Sequence, residues 1–170
     1  MERLQGGDLR SIGRVDEVVQ FVGDDSERFA ELMVGLTDDR PVVRMRSADA
    51  VEKITRRYPE LLKAHQAPLL ELLPAFTQQE VRWHVAQLMP RLPLSDDEAG
   101  QVVRVLKAWI ASETSKIVIV NSLQALFDLS VRYSRFHDEL IDLLHKQLET
   151  GSPAVRSRCN TLLAKWRESE

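Results

Sequence analysis

The sequence predicts an all-α chain of stacked helical repeats, and three observations predict it. First, the dipeptide Val-Arg recurs as Val43-Arg44, Val81-Arg82 and Val155-Arg156, each time opening an apolar helical pattern. The steps are 38 and 74 residues, and 74 is two steps of 37. A fourth copy is therefore due near residue 118, where Val118-Ile119 stands with the arginine replaced. A period of this length marks helical units that bury their apolar faces on one another. Second, the copies agree beyond the dipeptide. Counting the valine as zero, position +4 reads Ser47, Val85, Ser122 and Cys159, all small. Position +7 reads Ala50, Leu88, Ala125 and Leu162; +8 reads Val51, Met89, Leu126 and Leu163; +11 reads Ile54, Leu92, Leu129 and Trp166. At about 100° per residue these positions share one narrow face, and small residues at +4 permit close helix approach. Third, strictly alternating β-branched runs are absent. The one candidate, Lys116-Ile117-Val118-Ile119-Val120, falls in register with the repeat and reads as buried helix.

The elements follow in order. Residues 1–7 read as a flexible N-terminus. Asp8 caps a helix carrying Leu9, Ile12, Val15, Val18, Val19 and Val22. Asp24 with Glu27 opens the next, which carries Phe29, Leu32, Met33 and Leu36. This pair, 8–37, is a divergent terminal repeat, as expected of a cap with one face in water. The first helix of each later repeat begins near Pro41, Gln79, Ser115 or Pro153. Between them lie second helices: one with Leu61, Leu62, Leu69, Leu70, Leu72 and Leu73, one with Val102, Val103, Leu106 and Ile110, and one with Leu140, Ile141, Leu144 and Leu148. Pro59 suits a first helical turn, whereas Pro68 kinks or splits the helix it enters. Ser95 and Glu98 have capping-box spacing. Gly151 ends one helix, and Ser152 followed by Pro153 caps the last. The expected count is nine helices, four pairs and an unpaired last one.

Composition sets the class. Among 170 residues, 44% are apolar and 29% charged, the balance of a globular chain long enough for a single domain over 1–170. The net charge of −3 argues against nucleic acid as a partner. The single cysteine, Cys159, excludes an internal disulfide and occupies a helix-core position, where it reads as a packing residue. No apolar stretch approaches the ~18 residues of a membrane span, and Met1-Glu2-Arg3-Leu4 does not open a signal peptide. The expected compartment is the cytoplasm. His65, His84, His137 and His145 lack metal-ligand spacing, and Gly6-Gly7 lacks the sequel of a phosphate loop. No catalytic residue, cofactor or metal is expected.

The segment Asp38-Asp39-Arg40-Pro41, then Val43-Arg44, Ala48 and Ala50, then Pro59, Leu61 and Leu62, resembles a HEAT repeat. The resemblance covers 38–170 and, more weakly, 8–37. The Val81 copy has Thr77-Gln78-Gln79-Glu80 in place of the turn aspartate, and the Val118 copy lacks both aspartate and arginine. The resemblance implies a right-handed α-α superhelix, an armadillo-like solenoid of about four helix pairs plus a C-terminal helix. It also implies an Asp–Arg tie between adjacent repeats and a protein-binding scaffold role. The arginine at +1 is read as structural, pairing with turn carbonyls or carboxylates.

The first-type helices also carry a polar side. Position +3 reads Arg46, His84, Asn121 and Arg158; +6 reads Asp49, Gln87, Gln124 and Thr161; +10 reads Lys53, Arg91, Asp128 and Lys165. These rows are placed roughly opposite the apolar face and, in parallel stacking, on the concave side. Five cations against two carboxylates give the stripe +3, on a chain of −3. The expected function is a non-enzymatic scaffold or adaptor that binds an acidic protein or peptide there, with Trp83 beside the stripe as an anchor or a packing residue. Trp109 is expected to be partly exposed, and Trp166 to pack. The alternative is a DNA-binding HEAT-like protein of the alkylated-base glycosylase type, with Asp49, Asp128 and Trp83 in its site. The negative net charge weighs against it. HEAT-like bilin lyases share no motif with this chain beyond the repeat.

Overall fold

The structure, a computed structural model, describes Leu4 and residues 13–169. The N-terminal segment 1–7, Leu4 excepted, and the Asp8 cap with Leu9 and Ile12 lie outside the described residues. Among the described residues there are nine α-helices and no strand: α1 (Val15–Val22), α2 (Ser26–Val34), α3 (Pro41–Thr55), α4 (Gln66–Leu72), α5 (Gln79–Leu88), α6 (Asp96–Ser112), α7 (Lys116–Arg132), α8 (His137–Thr150) and α9 (Pro153–Ser169). None is long and apolar enough to cross a membrane. The chain divides into two compact units, Met1–Pro93 and Leu94–Glu170. In the first, α3 packs against α1, α2 and α5; in the second, α7 packs against α6, α8 and α9, and α8 against α9.

The repeat register decides what each helix buries. Of the twenty residues at positions 0, +4, +7, +8 and +11, nineteen are buried. Ser47, Val85, Ser122 and Cys159 are each 0% exposed. Trp166, the one exception, is half-buried and meets Phe127 and His137 edge-on, with ring centroids 6.0 and 4.4 Å away. The Cys159 thiol is pushed up by burial, which leaves it protonated and inert.

Local chemistry places the helix ends. Ser95 Oγ accepts from the Glu98 N–H at 3.4 Å, while Glu98 Oε2 accepts from the Ser95 N–H at 2.7 Å, closing the capping box of α6. Ser152 Oγ accepts from the Val155 N–H at 3.4 Å. Gly151 has an ordinary φ of −74°, but a Cβ there would sit 2.5 Å from the Gln147 carbonyl oxygen, so its role is close approach. The cap of α2 is Asp25, not Asp24: its side chain accepts from the N–H groups of Glu27 and Arg28. Residues Pro59–His65 form a 3-10 helix, and α4 begins only at Gln66. The split precedes Pro68 because the proline lacks the N–H that a continuous α-helix would use there. Trp109 is 3% exposed, against the expectation of partial exposure. It falls on the buried face of α6 with Val102, Leu106 and Ile110.

Two of the three arginines at +1, Arg44 and Arg82, bond to the turns. Arg44 Nη1 donates to the Asp38 and Asp39 carbonyls at 2.8 and 3.1 Å, and Arg82 Nε to the Phe76 carbonyl at 2.7 Å. A side-chain tie joins the two turns of the first unit. Arg44 Nε donates to Gln78 Oε1 at 2.8 Å, and Gln78 Nε2 donates to the Pro41 carbonyl at 3.0 Å. Gln78 therefore accepts from this arginine where the expected tie places an aspartate.

Candidate functional site

At about 100° per residue the apolar positions centre about 25° to one side of zero; from that centre +3 falls about 85° away, +10 about 105° and +6 about 145°. The +3 and +10 rows therefore lie on the flank of each helix and only +6 lies nearly opposite, and the consequences differ between the two units.

In the first unit the flank is largely consumed by internal contacts. Arg46 is 2% exposed, and its Nη1 donates to the Leu4 carbonyl at 3.0 Å. Gly13, at φ +56°, lies against the same guanidinium, where a Cβ would come within 2.7 Å of Cζ. Asp49 is buried, and Lys53 bridges its carboxylate (3.3 Å) to that of Asp16 on α1 (2.9 Å). Arg91 reaches from the turn after α5 to the end of α3. Its Nη1 donates to the Glu52 carbonyl and to Thr55 Oγ1, both at 2.8 Å, and its Nη2 meets Glu52 Oε1 at 2.5 Å. Arg56 binds the same carboxylate oxygen at 2.7 Å. Burial alone would push the Glu52 carboxyl up. The hydrogen bonds and charges of Arg56 and Arg91 outweigh it and hold the group below its usual range.

Trp83 and His84 are half-buried neighbours on α5, with rings tilted 5.5 Å apart, and Gln87 Nε2 donates to the Trp83 carbonyl. His84 Nδ1 is buried without a hydrogen-bond partner. Burial lowers this imidazole against the opposing pull of Asp49 and Glu52, so the neutral ring is the favoured form.

In the second unit the flank stays more open. Arg158 Nη1 of α9 donates to Gln124 Oε1 of α7 at 2.8 Å, and Gln124 Nε2 donates to Asp128 Oδ1 at 2.8 Å. This relay joins the two first-type helices at the level of their side chains. Asn121 bonds to the Ile117 carbonyl, and Thr161 to that of Ser157. Asp128, Thr161 and Lys165 are exposed; Asn121, Gln124 and Arg158 are half-exposed.

The structure thus groups Asp49 with Lys53, Trp83 with His84 and Gln87, and Arg158 with Gln124 and Asp128. It spends Arg46 and Arg91 on internal bonds. Sequence reasoning missed Glu52 and Asp16, which offset two of the counted cations, Arg91 and Lys53. Glu52 sits at +9, where the other copies read Pro90, Phe127 and Ala164, so no periodic signal marks it. Among the described residues no group of three or more histidine, cysteine, aspartate or glutamate side chains is placed to hold a metal ion.

No family model matches this chain, and neither a curated protein nor a solved structure does. The resemblance to HEAT repeats therefore rests on the residues that carry it.

Proposed function

We propose that the protein is a non-enzymatic scaffold of HEAT-like helix pairs, wound as a right-handed superhelix, that binds an acidic protein or peptide. One observation carries this reading: nineteen of twenty register positions are buried, so the first-type helices bury equivalent faces in each repeat. In the second unit α7 and α9 set their polar flanks side by side, a surface suited to a chain-like partner. Arg46 and Arg91 stabilise the first unit instead of lining that surface, so the accessible cations of the stripe are Arg158 and Lys165, beside Asn121, Gln124 and Thr161.

Affinity purification with the wild type and with Arg158→Glu/Lys165→Glu tests it. The wild type is expected to retain acidic partners that the variant loses, and a labelled poly-glutamate peptide is expected to bind the variant about tenfold more weakly. Retention of every partner by the variant would overturn binding at this flank. Salt-sensitive binding of duplex DNA at moderate ionic strength would favour the glycosylase-like alternative instead.

A further inference from the structure

The second unit holds a cavity that the polar stripe does not include. About 540 Å3 opens between the C-terminal halves of α6 and α8 and the starts of α7 and α9. That is within the size range of ligand pockets. Its apolar wall is Ile110, Ile119, Leu143 and Val155. Three lysines line it, Lys107, Lys116 and Lys146, and no carboxylate does, on a chain whose net charge is −3.

The three lysines are not equivalent. Lys107 is held by Glu139. Lys116 and Lys146 are exposed, and neither has an ion-pair partner among the described residues. Glu113, next to the cavity, is turned to the backbone: its Oε1 accepts from the Thr114 and Ser115 N–H groups at 2.9 and 3.1 Å. Two helix starts and two helix ends border the space, so their dipoles offset one another and the lysines set the sign of the local field. Ser152 Oγ accepts from the Val155 N–H, which leaves its own hydroxyl proton to donate.

We propose that this cavity binds a peptide segment in which a carboxylate stands beside a large apolar side chain. Lys116 and Lys146 take the carboxylate, and the apolar group rests on the half-exposed Ile119 and Leu143, with Ile110 and Val155 buried behind them. The choice of a peptide rests on the scaffold reading above. The choice of chemistry rests on the charge and the wall of the cavity. An acidic residue alone would leave the wall wet, and an apolar residue alone would leave two lysines unanswered.

The test titrates short fluorescein-labelled peptides of alternating leucine and glutamate into the full chain, with leucine–lysine peptides and decanoate as comparisons. Three proteins are compared: wild type, Lys116→Glu/Lys146→Glu, and Arg158→Glu/Lys165→Glu. Circular dichroism checks their folds, and Lys116→Arg/Lys146→Arg serves as the charge-preserving variant. The leucine–glutamate peptide is expected to bind the cavity variant about tenfold more weakly than the wild type. The stripe variant and the arginine variant are expected to bind it within about twofold of wild type, and the leucine–lysine peptide not to bind. Loss confined to the stripe variant would overturn the cavity while leaving the scaffold reading standing. Equal loss in both glutamate variants would reduce the effect to net charge and also overturn it. Binding of decanoate with the same lysine dependence, without binding of the peptide, would overturn the peptide assignment. Failure of every acidic peptide to bind any of the proteins would overturn both readings.

Discussion

Replacing Arg91 by alanine is expected to destabilise the protein by about 3 kcal/mol, a fall in melting temperature of roughly 10 °C. Three bonds are lost together: two to neutral acceptors, the Glu52 carbonyl and Thr55 Oγ1, and one to the carboxylate at Glu52 Oε1. The larger cost is the carboxylate left behind. The Glu52 side chain is 1% exposed, and its remaining cation, Arg56, is 62% exposed and so well screened by water. Arg56→Ala, with Arg91 still in place, is expected to cost under about 1 kcal/mol. The pH dependence has a definite sign. Glu52 is held below its ordinary value of 4.5 in the folded chain, so its contribution is present above that pH and is lost as pH falls through the folded value. The gap between wild type and Arg91→Ala is therefore expected to narrow below about pH 4. Urea denaturation at neutral and acidic pH measures both effects. A gap that stays constant with pH would detach Arg91 from the Glu52 charge.

The second large effect is expected at Ser122, where size and polarity can be separated. Its Oγ is buried and has no hydrogen-bond partner, as at the equivalent Ser47. Ser122→Ala removes a hydroxyl that cost desolvation and gained no bond, so it is expected to be neutral or to stabilise by up to about 1 kcal/mol. Ser122→Leu forces three more carbons into a filled contact and is expected to cost about 3 kcal/mol. Thermal denaturation of the pair gives the answer. If alanine destabilised as much as leucine, the hydroxyl would be the reason for serine at this position, and the small-residue argument would fail.

Much of the fold was legible because its causes are local and periodic. The five register positions mark the buried face, and Ser95 with Glu98 and Ser152 with Pro153 mark helix starts by the bonds that they form. What was not legible depends on unrepeated residues. Asp16 and Glu52 neutralise cations that the sequence counted as free, and neither recurs at the period. The rows at +3 and +10 lie on the flank and not opposite the apolar face; there Arg46 meets the Leu4 carbonyl and disappears from the surface. Trp109 lies near a helix end, where exposure is expected, but its angular position on α6 decides its burial. The cavity lined by Lys116 and Lys146 is formed by four helix ends brought together only in the folded chain.

The repeated register itself is open to one direct measurement. In a Cys159→Ser background, a single cysteine is placed in turn at Ser47, Val85 and Ser122, with Thr161→Cys as an exposed reference, and labelling by a thiol reagent is timed under native conditions. Beside wild-type Cys159, the three introduced thiols are expected to react only as fast as the chain unfolds, while Thr161→Cys reacts at the rate of a free thiol. Labelling of any of the three at the rate of Thr161→Cys would contradict the account.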